Sequence, residues 1–140
     1  MHVKLLTSDE DLNEIGKVLL QLRPQYNLEN LKAQIKLQQE SGYNLAYVKS
    51  DGRILCVAGF VIGQKLAWGK HIYIDDLVTD ENHRSTGAGT LLMNWLKEYA
   101  KEIGCGQVHL DSGVQRFSAH RFYLRERFSI ASHHFSITEL

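Results

Sequence analysis

Between Ile72 and Leu92 the chain places a β-rich run, a short turn with one arginine and two glycines, and an amphipathic run in immediate succession. His71 to Thr79 reads as a strand. From Ala88 onward, Leu91, Leu92, Trp95, Leu96, Tyr99, Ala100 and Ile103 recur at helical spacing and form one apolar stripe. The turn between them, Arg84-Ser85-Thr86-Gly87-Ala88-Gly89, has the makings of an anion site. Backbone N–H groups at a helix N-terminus lack intrahelical partners and point outward at the positive end of the helix dipole. Gly87 and Gly89 carry no side chain to hold a phosphate away, and Arg84 adds a fixed positive charge. Two commoner phosphate motifs are excluded: there is no Gly-Lys-Ser/Thr, and Leu92 stands where a Gly-x-Gly-x-x-Gly motif needs its third glycine. The plain alternative is a helix start with convenient glycines.

The rest of the chain supplies a sheet and helices around this segment. Val3 to Leu6 predicts a short strand, and Thr7 or Ser8 caps a helix through Leu12, Ile15, Val18, Leu19 and Leu22 that Pro24 ends. Asn27 caps a second helix through Leu28, Leu31 and Ile35, with Gly42 as its stop. Asn44 to Lys49 and Arg53 to Gln64, joined by Ser50-Asp51-Gly52, predict a hairpin. After Gly104 and Gly106, Gln107 to Asp111 predicts a strand, Ser118 to Glu126 a helix, and Phe128 to Thr138 one or two closing strands. The order implies an α/β (α+β) protein with a mixed sheet in a single domain over residues 1–140.

Charge and cysteine content narrow the functional classes. Sixteen basic residues balance sixteen acidic ones, with no long run of either sign, which disfavours a nucleic-acid surface. Cys56 and Cys105 are isolated and suit a reducing compartment. The first twenty residues are broken by Lys4, Asp9, Glu10, Asp11 and Glu14, unlike a signal peptide. The apolar run Ile54 to Gly63 is too short to span a bilayer, which takes about 20 helical residues. The expectation is a cytoplasmic protein with no membrane partner. The histidines His71, His83, His109, His120, His133 and His134 lack metal-ligand company, so no metal is expected.

Two blocks carry a family resemblance. Arg84-Ser85-Thr86-Gly87-Ala88-Gly89 resembles the Arg/Gln-x-x-Gly-x-Gly/Ala signature of the GNAT N-acetyltransferase superfamily, preceded by Asp75 to Thr79, which looks like its fourth strand. Leu110-Asp111-Ser112, then Ala119-His120-Arg121-Phe122-Tyr123 and Phe128, resembles its fifth strand and the helix ending in a Phe-Tyr pair. Two departures stand out: Arg116 replaces a frequent Asn, and Arg127 replaces a frequent Gly before the final Phe. The second suggests a turn that needs no positive φ.

The resemblance implies a mostly antiparallel central sheet with about four helices and a splayed strand pair forming the acetyl-CoA cleft. It implies that Leu77, Val78 and Thr79 pair through their backbones with the pantetheine arm, and that Arg84, Ser85, Thr86, Gly87, Ala88, Gly89 and Thr90 hold the phosphates. Tyr123 matches the general-acid position; a phenol with an ordinary pKa of about 10 keeps its proton at neutral pH. Asp75 matches an acidic position that deprotonates the amine, often through water. Strand alternation puts His71, Tyr73, Asp75 and Leu77 on one face and Ile72, Ile74, Asp76 and Val78 on the other, leaving Asp76 structural unless a bulge exchanges the two. His71 shares the face of Asp75, and Tyr26 and Trp68 are candidates to wall the acceptor site.

The activity implied is acetyl transfer from acetyl-CoA to a primary amine of a small molecule, by direct transfer in a ternary complex. Asp75, Asp76 and Glu81 lean weakly toward a cationic acceptor. The competing readings are a non-catalytic acyl-CoA-binding module and a protein or peptide N-acetyltransferase. The β-rich tail from Phe128 offers an edge for a homodimer.

Overall fold

The computed structural model describes all 140 residues, which fall into two compact units, residues 1–110 and residues 111–140. The first unit contains a five-stranded sheet in sequential order: β1 (His2–Leu5), β2 (Tyr43–Ser50), β3 (Arg53–Lys65), β4 (Gly69–Thr79) and β5 (Gln107–Leu110). The first four strands pair antiparallel and β5 runs parallel to β4. Asp51 and Gly52, both at positive φ, make the two-residue β2–β3 turn, the backbone that Asp-Gly favours.

Three helices cover this sheet. α1 (Leu12–Leu22) and α2 (Leu28–Gln39) bury Leu12, Ile15, Leu19, Leu31 and Ile35 against Leu45, Tyr47 and Val57. Alternation along the strands turns Val48, Cys56, Ala58 and Phe60 to the opposite face, where Phe60 meets Tyr99 of α3 (Ala88–Glu102) edge-on at 6.0 Å. Of the expected stripe, α3 buries Ala88, Leu92, Leu96 and Ala100 and leaves Leu91, Trp95 and Tyr99 half-buried, and it buries Met93 besides.

The second helix starts as expected, with Asn27 and Asn30 forming a reciprocal cap at 2.9 and 2.8 Å. The first does not. Its cap position is Asp11, not Thr7 or Ser8, and the Asp11 carboxylate turns away from the helix to accept from Tyr47 at 2.6 Å and Lys49 at 3.0 Å. A charged bond to β2 outcompetes the cap.

In the second unit, α4 (Phe117–Arg125) is followed by its cap Glu126 and then by Arg127, whose φ is +71°. The turn therefore does take the left-handed conformation that the arginine argued against. It is fixed by Arg127 N–H donating to Leu124 and Phe128 N–H to Tyr123, at 3.1 and 2.9 Å. The closing strands expected from Phe128 to Thr138 are not formed; residues 129–140 are irregular and exposed. Ile, Phe and Thr confer strand propensity, but a strand exists only where a neighbour completes its ladder.

Candidate active site

Three features converge on the C-terminal half of β4. First, β5 stays paired with β4 only from His71 to Ile74, whose partner is Leu110, the last residue of β5. From Asp75 to Thr79, β4 is held by β3 alone, so its other edge offers unpaired backbone groups. Second, the β3–β4 register slips by one residue: Ile74 faces Phe60, Asp76 faces Gly59, and Asp75 is the extra residue of a β-bulge. Third, the chain leaves Thr79 through Asp80 and a single 3-10 turn, Glu81–His83, into the arginine–glycine turn.

That turn is braced from below. Asp80 N–H donates to Leu55 O at 2.8 Å, while its carboxylate accepts from Gln21 at 2.7 Å and contacts His83 Nδ1 at 2.5 Å. The Gln21 amide first, and the His83 ring to a lesser degree, hold the Asp80 carboxyl below its usual range against the opposing pull of desolvation. Gln21 also accepts from the Glu81 N–H at 2.9 Å, and the Thr86 hydroxyl donates to His83 O at 2.8 Å. Ser85 (φ +63°) and Gly87 (φ +86°) both adopt left-handed backbone on either side of Thr86. α3 begins at Ala88 with no side chain capping it, its first backbone bond running from Leu91 N–H to Gly87 O. Amides before Leu91 thus have no intrahelical carbonyl. Arg84, Ser85, Thr86 and Gly87 are exposed. An exposed start of a fifteen-residue helix, preformed and flanked by an arginine, fits a phosphate-bearing ligand.

The bulge separates the two aspartates chemically. Asp76 is partly buried, accepting from Tyr43 Oη at 2.6 Å and from Arg23 Nε at 2.9 Å, with an Arg23 Nη2 contact also at 2.9 Å. Burial first, then the Asp76 carboxylate, push the Tyr43 phenol well above its ordinary pKa, so it stays a donor. Arg23 also donates to the backbone carbonyl of Asp75 at 3.1 Å, at the bulge. Gly59 permits this arrangement, because a Cβ there would lie 1.6 Å from the Tyr43 hydroxyl. The Asp75 side chain is exposed and joins none of these bonds. Partial desolvation, and secondarily the Asp76 charge, raise its carboxyl above the usual range.

Both aspartates border a cleft of about 230 Å³ between β4 and the α1–α2 pair. Its floor is Leu19, Leu31 and Ile35, and its polar wall is Gln25, Tyr26, Gln34 and Gln38. Of the two aromatic candidates, Tyr26 lines the cleft and Trp68 does not. Trp68 stacks on His109 at 3.5 Å and meets His71 edge-on at 5.0 Å. His71 is buried, its Nδ1 on Gly69 O at 2.9 Å, and does not border the cleft. Arg23, Tyr43, Gln21 and Asp80 carried no local sequence signal. Each acts across more than thirty positions of chain, a separation that neither motif nor periodicity reports.

In the second unit, Tyr123 is largely buried at the end of α4, its ring edge-on to Phe122 at 5.6 Å and to Phe128 at 5.8 Å. Cys56 is buried in the sheet, where desolvation pushes its thiol up to about 11, and so is a poor nucleophile. No three His, Cys, Asp or Glu side chains cluster closely enough to hold a metal ion.

The profile of the Acetyltransferase (GNAT) family matches residues 10–128. The chain belongs to this family. YhdJ, an uncharacterized N-acetyltransferase of Bacillus subtilis, is 34% identical over 125 residues, spanning 88% of this chain and 87% of its own. Among solved structures, a ribosomal-protein-alanine N-acetyltransferase from Brucella melitensis superposes with a TM-score of 0.85 at 15% identity, covering 99% of this chain and all of the other. An aminoglycoside N-acetyltransferase, AAC(6')-Iy in complex with CoA, does so with 0.79 at 12% identity, covering 99% of each chain. At such identities these two speak for the fold: a mixed, mostly antiparallel sheet with four helices, as GNAT members have.

Proposed function

We propose that the chain is an acetyl-CoA-dependent N-acetyltransferase that acetylates a primary amine of a small molecule by direct transfer in a ternary complex. The observation that carries this is the succession in β4: a bulge with an outward aspartate, an unpaired strand edge, and a braced arginine–glycine turn opening a helix. Leu77, Val78 and Thr79 offer backbone groups along the edge. Arg84 and the backbone from Ser85 through Thr90 form the cradle for phosphate. Acetyl-CoA, when bound, supplies a thioester whose carbonyl carbon accepts a neutral amine. The acceptor's site in this reading is the cleft beside Asp75, below the roughly 300–1,000 Å³ of drug-sized pockets. That size favours a small amine over a peptide.

An alkylammonium must lose a proton before attack, and Asp75 remains far too weak a base to take it alone. Its carboxylate orients and relays the proton through water, and its raised affinity for protons helps that relay. Tyr123 Oη holds the proton that the departing sulfur takes, an assignment supported by its match to the Phe-Tyr position of the family. The buried Cys56 thiol speaks for direct transfer rather than an acetylated cysteine. This reading takes residues 1–140 as one catalytic domain and the cytoplasm as its place of action. Exposed Ile130, Phe135 and Ile137 keep the tail available for a homodimer.

Calorimetric titration with acetyl-CoA tests the cofactor half. Arg84→Ala is expected to weaken binding about tenfold or more, the loss of one charge-assisted contact. An unchanged affinity would remove the phosphate role from the turn. Tyr123→Phe is expected to lower kcat by about 10²-fold or more with acetyl-CoA affinity intact. Activity indifferent to that change would favour the non-catalytic acyl-CoA-binding reading.

A further inference from the structure

Arg23 is the single cation bordering the cleft, and it is paired with Asp76. Its Nε and Nη2 lie 2.9 Å from the same oxygen of Asp76, and Nη2 also donates to Asp75 O. The second Asp76 oxygen accepts from Tyr43. Asp76 is thus satisfied on both oxygens, and the one positive charge of Arg23 faces the two carboxylates of Asp75 and Asp76. The remaining charged group of the cleft is Asp75, which takes part in no protein ion pair. Every other polar residue on the wall, Gln25, Tyr26, Gln34 and Gln38, is neutral, and the Gln34 amide donates to Gln38 at 3.0 Å.

From this charge balance we propose that the acceptor is an amine that carries no acid group, and that the Arg23–Asp76 pair sets this selectivity. The inference rests on the reading of the cleft as the acceptor site. A cleft with a free arginine would take a zwitterion or an aminophosphonate, pairing the acid with the guanidinium. Here a carboxylate or phosphonate on the ligand would be desolvated against Asp75 and would have to compete with Asp76 for Arg23. The ammonium faces Asp75, and hydroxyl or amide groups on the remainder match the glutamines and Tyr26. Leu19, Leu31 and Ile35 receive its carbon skeleton.

Matched pairs of amines that differ only by an acid test this without requiring turnover: ethanolamine against serine, tyramine against tyrosine, and ethylamine against 2-aminoethylphosphonate. Their affinities for the protein are read by NMR titration. The acid-free member of each pair is expected to bind at least about tenfold more tightly, a gap of about 1.4 kcal/mol. Asp76→Asn releases the Arg23 charge into the cleft and should narrow or invert that gap. Arg23→Gln leaves a second negative charge and should widen it. A merely structural loss would weaken both members alike, so opposite movements of the gap are specific to the charge pair. Equal or tighter binding of the acid-bearing members to the wild type overturns the proposal, as do variants that shift the gap in one direction. Failure of every amine to bind also overturns it; acetyl-CoA affinity, titrated separately, then reports whether the cofactor half of the proposed function stands.

Discussion

At the residue scale, two side chains make opposite use of strain and charge. Arg127 sits at φ +71°, where a Cβ costs about 1–2 kcal/mol. Glycine relieves this but is freer in the unfolded chain, by about 0.4–1 kcal/mol. Arg127→Gly should therefore stabilise by up to about 1 kcal/mol and raise Tm by a few degrees; a fall in Tm would contradict the account of the turn. Asp75 has its carboxyl pKa raised on folding. Its contribution to stability is present below the ordinary carboxylate pKa and is lost as pH rises through the elevated one. Asp75→Asn should consequently unfold at higher urea than the wild type at pH 7, with the difference closing toward pH 3.5. An asparagine variant less stable at neutral pH would show that the aspartate is favourably placed as an anion. The sequence separates these cases poorly. Asp75 and Asp76 are neighbours of the same type, and only the slip opposite Gly59 and Phe60 decides which is held and which is exposed.

At the scale of elements, the register of β4 depends on a residue in another strand. Gly59 leaves the space through which Tyr43 reaches Asp76, so Gly59→Ala must displace a buried ring. Overpacking of about 1–3 kcal/mol, together with a disturbed charged hydrogen bond, predicts a loss of at least about 2 kcal/mol in urea unfolding. Tyr43→Phe keeps the space and should lose less. Equal stability of Gly59→Ala and the wild type would refute the crossing. Periodicity shows the helices and the Asp-Gly hairpin because those signals lie within one or two turns of chain. It misses the Asp11 link to Tyr47 and Lys49, which draws the cap residue of α1 onto β2. The tail shows the converse: alternating β-formers in a segment that the fold gives no ladder.

Across the whole molecule, the fold and the strand–turn–helix succession that carries Arg84 to Gly89 are legible because both depend on contiguous sequence: the strand, the glycines and the amphipathic helix follow one another from Ile72 to Glu102. The cleft beside Asp75 is not, since it is assembled from α1, α2, β2 and β4. In the proposed function a braced turn and a bulged strand together serve transfer of an acetyl group to an amine. The most direct measurement follows CoA thiol release and N-acetylated product together, in the presence of acetyl-CoA and acid-free amines such as ethanolamine and tyramine. The account predicts amine-dependent release matched one to one by N-acetyl product, reduced by Asp75→Asn and by Tyr123→Phe. Saturable binding of acetyl-CoA with no amine-dependent release from any acceptor, small or peptide, would contradict it.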